Sequence, residues 1–353
     1  MISLRRLSQY VGFMCSLQAA KLTKKRIPLI VILCVTNKCN LKCWYCYGEH
    51  PLKNAWQDFS TKELLIMIRT LRGLGTLILQ LQGGEPLLRT DIRLIIEEAK
   101  KCGMLCDMVT NGILIPQKLD AVRLLDKICI SLDGPARLTD SNRGEGVFDR
   151  VVTGISAASE LGLPVRISAV LTQDTDTEDI DWLLDFCRKR SLLVNFSPSF
   201  DFIGQSRGSD FKPHIVADKK MRLLFQHILN CKKKGQAIQF SQKSYALALQ
   251  WPLEYSNMTV QDSDSRTRRY PHCYHGDYIF FIDSDGSVRP CCNFWGRKSA
   301  NIRVEGLSKA ILLTERLGCG SCYVPAYIDR NLFFEGAIST WFNYIIHSLR
   351  GEA

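Results

Sequence analysis

From about residue 27 the chain alternates between two kinds of segment. Apolar, β-branched runs occur at 28–35, 76–81, 105–109, 127–132, 165–171 and 192–197, with helix-like stretches between them near 60–73, 91–101, 116–125, 147–161 and 176–190. Strands and helices alternating at this spacing predict parallel βαβ units with right-handed crossovers. Six such units form an open or partial (β/α)6 barrel, so the expected class is α/β. Ser60 and Thr61 precede Glu63, as in a capping box, while either Gly146 or Asp149 opens the helix around Phe148. The strongest apolar run, Ile27 to Val35, is too short for a membrane span, which needs roughly 20 residues. It reads as a buried strand, and no transmembrane segment is expected.

The unusual side chains all follow strands. Cys39, Cys43 and Cys46 come after the first, Gly83-Gly84-Glu85-Pro86 after the second and Thr110-Asn111-Gly112 after the third. Ser131-Leu132-Asp133-Gly134 ends the fourth, and Asn195, Ser197 and Pro198 end the sixth. In α/β barrels the carboxyl ends of the strands form the active face.

Cysteine is abundant, with 15 residues, an odd number. Arg5 and Arg6 are followed by no long apolar core or small-residue cleavage site. A secreted disulfide framework is therefore not expected, and a reducing cytoplasm with cysteines as metal ligands fits better. Apolar residues make up 46% and charged residues 23%, which excludes a disordered chain. The net charge of +11 is spread along the chain rather than gathered into an aromatic-interleaved nucleic-acid patch.

The segment Cys39-Asn-Leu-Lys-Cys43-Trp-Tyr-Cys46 puts three thiols on one short loop. Three thiolates hold three irons of a cubane and leave the fourth iron open, just as a catalytic zinc keeps an open position. A zinc ion is the alternative, with His50 as its fourth ligand. The spacing resembles the CxxxCxxC signature of the radical S-adenosylmethionine (SAM) superfamily, and Gly83-Gly84-Glu85-Pro86 resembles that family's GGEP motif. The resemblance covers about residues 27 to 200. It implies a SAM-binding [4Fe–4S] cluster on Cys39, Cys43 and Cys46. It also implies SAM contacts from Gly83, Gly84 and Glu85, from Ser131 and, more weakly, from Arg143. The implied activity is reductive cleavage of SAM to a 5′-deoxyadenosyl radical that abstracts hydrogen from a substrate. Such an enzyme draws its electron from a reducing donor such as flavodoxin or ferredoxin.

Near the C-terminus, residues 278–288 read as a β-hairpin around Ser284-Asp285-Gly286. Cys273, Cys291, Cys319 and Cys322 lie on its flanks and beyond, enough for a fully ligated iron–sulfur cluster or a zinc. Their pattern resembles the auxiliary-cluster extension called SPASM, or its shorter twitch form. A second [4Fe–4S] cluster is implied, with Cys292 beside Cys291 leaving that ligand open. The remaining cysteines, Cys231 among them, read as buried hydrophobes.

The expected layout is an amphipathic helix over 1–26, the barrel over 27–235, a linker over 236–272, the cysteine module over 273–322 and a helix over 323–353. The first helix carries Leu4, Leu7, Val11, Met14 and Leu22 near one face, for packing or for a membrane surface. The last carries Phe334, Ile338, Trp341, Ile345 and Leu349. The leading expectation is a peptide or other natural-product precursor as substrate, a choice the resemblance itself does not make. RNA, a nucleotide or a sugar is the enzymatic alternative, and a non-catalytic iron–sulfur or zinc scaffold the remaining one. Asp201, His214, Tyr274 and His275 are candidate acid–base groups.

Overall fold

In the computed structural model of the protein, residues 4–46, 57–199, 215–261, 263–294, 299–315 and 318–336 are described. The barrel portion comprises β1 (Ile30–Thr36), α2 (Thr61–Gly73), β2 (Ile78–Gly83), α3 (Ile92–Lys101), β3 (Leu105–Thr110), α4 (Leu119–Val122), β4 (Lys127–Ser131), α5 (Ala136–Arg143), α6 (Val147–Glu160), β5 (Val165–Leu171), α7 (Thr177–Lys189) and β6 (Leu193–Pro198). It is preceded by α1 (Leu4–Thr23) and followed by α8 (Asp218–Lys233) and α9 (Gln242–Leu249). The C-terminal part holds β7 (Thr259–Gln261), β8 (Ile279–Ile282), β9 (Ser287–Arg289), β10 (Ala300–Asn301), α10 (Ile302–Glu305), α11 (Leu307–Leu313), β11 (Cys319–Cys322) and α12 (Pro325–Glu335).

β1 to β6 pair in sequence order, each parallel to the next, as expected of a partial (β/α)6 barrel. The sheet does not end at β1. The hairpin β8–β9 and the short β10 extend it, giving the order β10-β9-β8-β1-β2-β3-β4-β5-β6, with β8 parallel to β1. The C-terminal cysteine region is thus hydrogen-bonded to the strand that leads into the Cys39 loop. β1 is interior to the sheet, which explains why every one of its residues is buried. Its alternate side chains serve two cores. Val31, Leu33 and Val35 join the main core, whereas Ile30, Ile32 and Cys34 pack with Phe13 and Leu17 of α1, Phe281 of β8 and Phe334 of α12.

Several elements differ from expectation. α1 buries Phe13, Leu17 and Ala20 rather than the Val11–Leu22 stripe, and leaves Val11 and Leu22 exposed. The i, i+4, i+7 spacing of the buried trio matches the helical repeat at the docking face. The expected helix at 116–125 is a 3₁₀ turn (Ile115–Gln117) followed by the single turn of α4. Residues 236–272, expected as a linker, contain α9 and bury Tyr245, Trp251 and Tyr255. α12 stops at Gly336, whose left-handed backbone (φ 85°) caps it; Ile338, Trp341, Ile345 and Leu349 lie outside the described residues. Ser60 and Glu63 form the expected capping box, and Gly146 opens α6. No helix among the described residues is long and apolar enough to cross a membrane.

Candidate functional site

The loop after β1 is held from two sides. On one side the β2 turn approaches it at backbone contact: Gly84 N–H donates to Thr36 O (2.9 Å) and Glu85 N–H to Lys38 O (2.8 Å). A Cβ on Gly84 would stand 2.2 Å from the Lys38 carbonyl oxygen, and one on Gly83 2.3 Å from that of Thr36, so only glycine permits this approach. Asp58 adds two bonds, accepting from Thr36 Oγ1 (2.6 Å) and Asn37 N–H (2.8 Å).

On the other side the cysteine loop is tied to the end of β4. Tyr45 donates its phenolic hydrogen to Asp133 Oδ2 at 2.8 Å, and Trp44 Nε1–H donates to Asn142 Oδ1 at 2.9 Å. Asp133 also accepts two hydrogen bonds from Arg143, at 2.8 and 3.0 Å, and one from Val170 N–H at 3.1 Å. Asp133 and Arg143 are both buried, and the guanidinium lies 5.6 Å from the Tyr45 ring centroid. Burial and then Arg143 act most strongly on the Tyr45 phenol, and the net effect keeps it protonated as a donor.

Cys39 is exposed, Cys46 half-buried and Cys43 buried. Leu41 N–H donates to Cys39 Sγ (3.4 Å) and Cys46 N–H to Cys43 O (2.9 Å). Burial pushes the Cys43 thiol up to about 12, against the opposing pull of Arg143.

Glu85 is completely buried, and its carboxylate is taken up by the protein. Oε1 accepts from Leu87 N–H (3.0 Å) and Thr110 Oγ1 (2.7 Å), and Oε2 from Asn111 N–H (2.8 Å). The side chain thus caps the 3₁₀ turn Pro86–Leu88 and ties the β2 and β3 loops together, and Asn111 reaches on to Asn40 Oδ1 (2.8 Å) inside the cysteine loop. Burial pushes the Glu85 carboxyl up, opposed by these three donors. Ser131 ends β4 and pairs in register with Ser168 of β5.

The second group also assembles. β7 and β11 pair antiparallel, and the Cys273 thiol lies close enough to act on both Cys319 and Cys291. The Cys273 thiol, then burial, holds Cys319 strongly protonated, and burial followed by Cys273 does the same for Cys322. Cys292 joins this cluster, its Sγ 2.8 Å from the Tyr327 hydroxyl. Two buried nitrogens nearby, His275 Nε2 and Arg330 Nη1, find no hydrogen-bond partner among the described residues. Within the described residues only one trio of His, Cys, Asp or Glu donor atoms lies within 4.8 Å of one another, and none of the thiols of these two groups belongs to it.

The hairpin turn is locked to β10: Asn301 Nδ2 donates to Asp285 O (3.1 Å), and Ile302 N–H to Gly286 O (2.7 Å). Arg303 then reaches back toward the first loop, donating to Gln57 O (2.9 Å), pairing with Glu63 (3.4 Å) and lying 4.1 Å from the Phe59 ring centroid. This arginine and Asp133 carry structural roles that sequence reasoning missed. Asp133 had a signal, because it stands in the Ser131–Gly134 motif; Arg303 had none. Of the candidate acid–base groups, His275 is buried against Tyr327 with its pKa pushed down to about 3 by burial, and Tyr274 stacks on Tyr278. His50, Asp201 and His214 lie outside the described residues.

The fold is an open sheet with six parallel strands in sequence order and a three-cysteine loop at the carboxyl end of the first. Residues 33–187 match the family model described as the Radical SAM superfamily, so this segment carries the domain of a family of enzymes whose cofactors are a [4Fe–4S] cluster and SAM. A probable GTP 3',8-cyclase of Methanocella arvoryzae is 30% identical over 195 residues, covering 54% of this chain and 61% of the relative. One from Archaeoglobus fulgidus is 34% identical over 169 residues, covering 46% and 55%. The chain therefore spans little more than half the length of these curated relatives. Among solved structures, Streptococcus suis SuiB bound to its precursor peptide SuiA superposes with a TM-score of 0.63 at 19% identity, covering 86% of this chain and 72% of that one. Native anSMEcpe with bound AdoMet gives 0.59 at 17%, covering 90% and 100%. At these identities the likeness is one of fold.

Proposed function

We propose that the chain uses two iron–sulfur clusters to modify a peptide or another bulky precursor by radical chemistry. Cys39, Cys43 and Cys46 would hold the SAM-binding [4Fe–4S] cluster. Cys273, Cys291, Cys319 and Cys322 would hold a second one, with Cys292 as the alternative to Cys291. The donor sets fit in kind: both are all-thiol, the ligand type that holds iron–sulfur clusters. The second set also fits an anionic group, because His275 Nε2 and Arg330 Nη1 are buried nearby without partners.

When bound, the reduced cluster and SAM supply one-electron cleavage of the sulfonium to methionine and a 5′-deoxyadenosyl radical. This chain's residues set the geometry. The Gly83–Gly84 turn and the Tyr45–Asp133 bond fix the thiols, and Glu85 stiffens the rim where the resemblance puts the SAM amino group. Ser131 and Arg143 stand on the β4 side for its carboxylate. Two Arg143 nitrogens are already committed to Asp133, so its part in SAM binding would be through charge and positioning. A low-potential donor such as flavodoxin or ferredoxin would supply the electron.

The observation that carries the peptide reading is the joining of β8 to β1, which makes the C-terminal cysteine module part of the barrel sheet. The fold likeness to SuiB and anSMEcpe covers 86% and 90% of this chain, more than the barrel over 27–235 alone. A nucleotide substrate is the second reading, favoured by the GTP 3',8-cyclase relatives, whose similarity covers 54% of this chain or less. The test is SAM turnover by dithionite-reduced, iron-loaded protein. Formation of 5′-deoxyadenosine that is lost on replacing Cys39, Cys43 and Cys46 with alanine supports the reading. No SAM binding and no product from loaded wild type overturns it. Turnover stimulated by GTP, with a modified nucleotide formed, would replace the peptide reading with the nucleotide one.

A further inference from the structure

Away from both cysteine clusters, α7 and α8 bring three different donor atoms together. Asp181 stands on α7, while His227 and Cys231 stand four residues apart on α8 and so share one face of that helix. His227 Nε2 lies 2.7 Å from Asp181 Oδ1, Cys231 Sγ lies 3.6 Å from His227 Nε2, and Cys231 Sγ lies 3.8 Å from Asp181 Oδ1. We propose that Asp181, His227 and Cys231 form a zinc site that staples α7 to α8.

The distances support this reading. Zinc bonds of about 2.0–2.3 Å at tetrahedral angles place ligand atoms roughly 3.3–3.8 Å apart. Both distances to Cys231 Sγ already fall there. Only the His227–Asp181 hydrogen bond must lengthen, by about half an ångström on the same tetrahedral geometry. The mixed sulfur, nitrogen and oxygen set selects a borderline cation such as zinc over magnesium or calcium, which take oxygen ligands. Cys231 is buried, whereas the Asp181 side chain is 58% exposed and that of His227 27% exposed, so an ion enters from the solvent side. Water would complete the tetrahedron there. Binding sends the Cys231 thiol proton to solvent and uses His227 as the neutral imidazole tautomer with its proton on Nδ1, so the ligands are a thiolate and the Nε2 lone pair. Because α7 follows β5 and α8 follows β6, the ion would brace the outer helices of the last two barrel strands.

The test compares zinc content and thermal stability in the anaerobically iron-loaded full chain. Wild type, His227→Ala, Cys231→Ser and Asp181→Asn are each equilibrated with zinc, and cobalt(II) serves as a spectroscopic substitute. Wild type is expected to hold about one zinc per chain more than the His227 and Cys231 variants, whose affinity falls by at least about 100-fold. Zinc should raise the Tm of wild type and not theirs. A thiolate-to-cobalt charge-transfer band should be present in wild type and in Asp181→Asn, and absent in Cys231→Ser. Equal zinc content in wild type and the His227 and Cys231 variants overturns the proposal, whatever the iron sites contain. Because the readout is a difference, it stands apart from the fate of the radical SAM reading.

Discussion

Tyr45 and Asp133 share a hydrogen bond of 2.8 Å that joins the cysteine loop to the far side of its own site, and the same carboxylate accepts two hydrogen bonds from the buried Arg143. Asp133 therefore neutralises a buried cation and fixes a loop at once. A single substitution would disturb both functions, and the two can be separated by choosing which partner to remove.

Asp133→Ala leaves the Arg143 guanidinium buried without its counter-charge, which costs about 3–5 kcal/mol. Tyr45→Phe removes one bond to a charged acceptor, about 1.5–3 kcal/mol. Denaturant unfolding should rank wild type above Tyr45→Phe and Tyr45→Phe above Asp133→Ala. Both variants should retain less iron at the first site than wild type.

Gly84→Ala should fold yet load the first site poorly, because its new methyl group meets the Lys38 carbonyl and displaces the Cys39 loop. Iron should fall from about eight toward about four per chain, the content of one remaining cubane. Gly12→Ala is the contrasting case. Gly12 is exposed on α1 with nothing within 4 Å of a built Cβ, so alanine should stabilise by about 1 kcal/mol at unchanged iron.

Glu85 should matter even where SAM is absent. Glu85→Ala strands three donors, the Leu87 and Asn111 N–H groups and the Thr110 hydroxyl. Glu85→Gln mismatches at least one of them, at about 1–3 kcal/mol. Melting without SAM should give wild type above Glu85→Gln and Glu85→Gln above Glu85→Ala. Equal melting temperatures would assign Glu85 to ligand contact alone.

The two thiol groups should divide the work. Iron and sulfide analysis should give about eight irons per chain, twice one cubane. Replacing Cys319 and Cys322 with alanine should remove substrate modification while leaving some 5′-deoxyadenosine formation, since a cluster held by four cysteines has no iron free to chelate SAM. Normal product from that variant would show the second group to be dispensable.

Much of this was legible because burial writes itself into short stretches of sequence. The six parallel strands were readable as apolar runs, and the loops that follow them as breaks in those runs. α5 was missed because Ala136–Arg143 is short and polar, and it buries Leu138 and Thr139 alongside Asn142 and Arg143. The addition of β8 to β1 was unreadable, since a parallel pairing between Ile30 and Ile279 leaves no local trace. Cys231 packs as the buried thiol that its sequence context implies, while the approach of Asp181 from another helix leaves no trace in the local sequence. The cysteine sets were legible from spacing and resemblance, whereas the roles of Glu85 and Asp133 depended on which backbone groups the fold turned towards them.

The pairing of β8 with β1 also has a consequence for biogenesis. β1 is made before the strand that covers its outer edge, with α9 and β7 among the elements between them. Until then a strand apolar from Ile30 to Val35 offers unpaired backbone groups to any neighbouring chain, which is the circumstance that favours edge-to-edge aggregation. A nascent chain stalled before Ile279 would be a client for holdase chaperones, and the C-terminal cysteine region would double as the sheet's own protective cover.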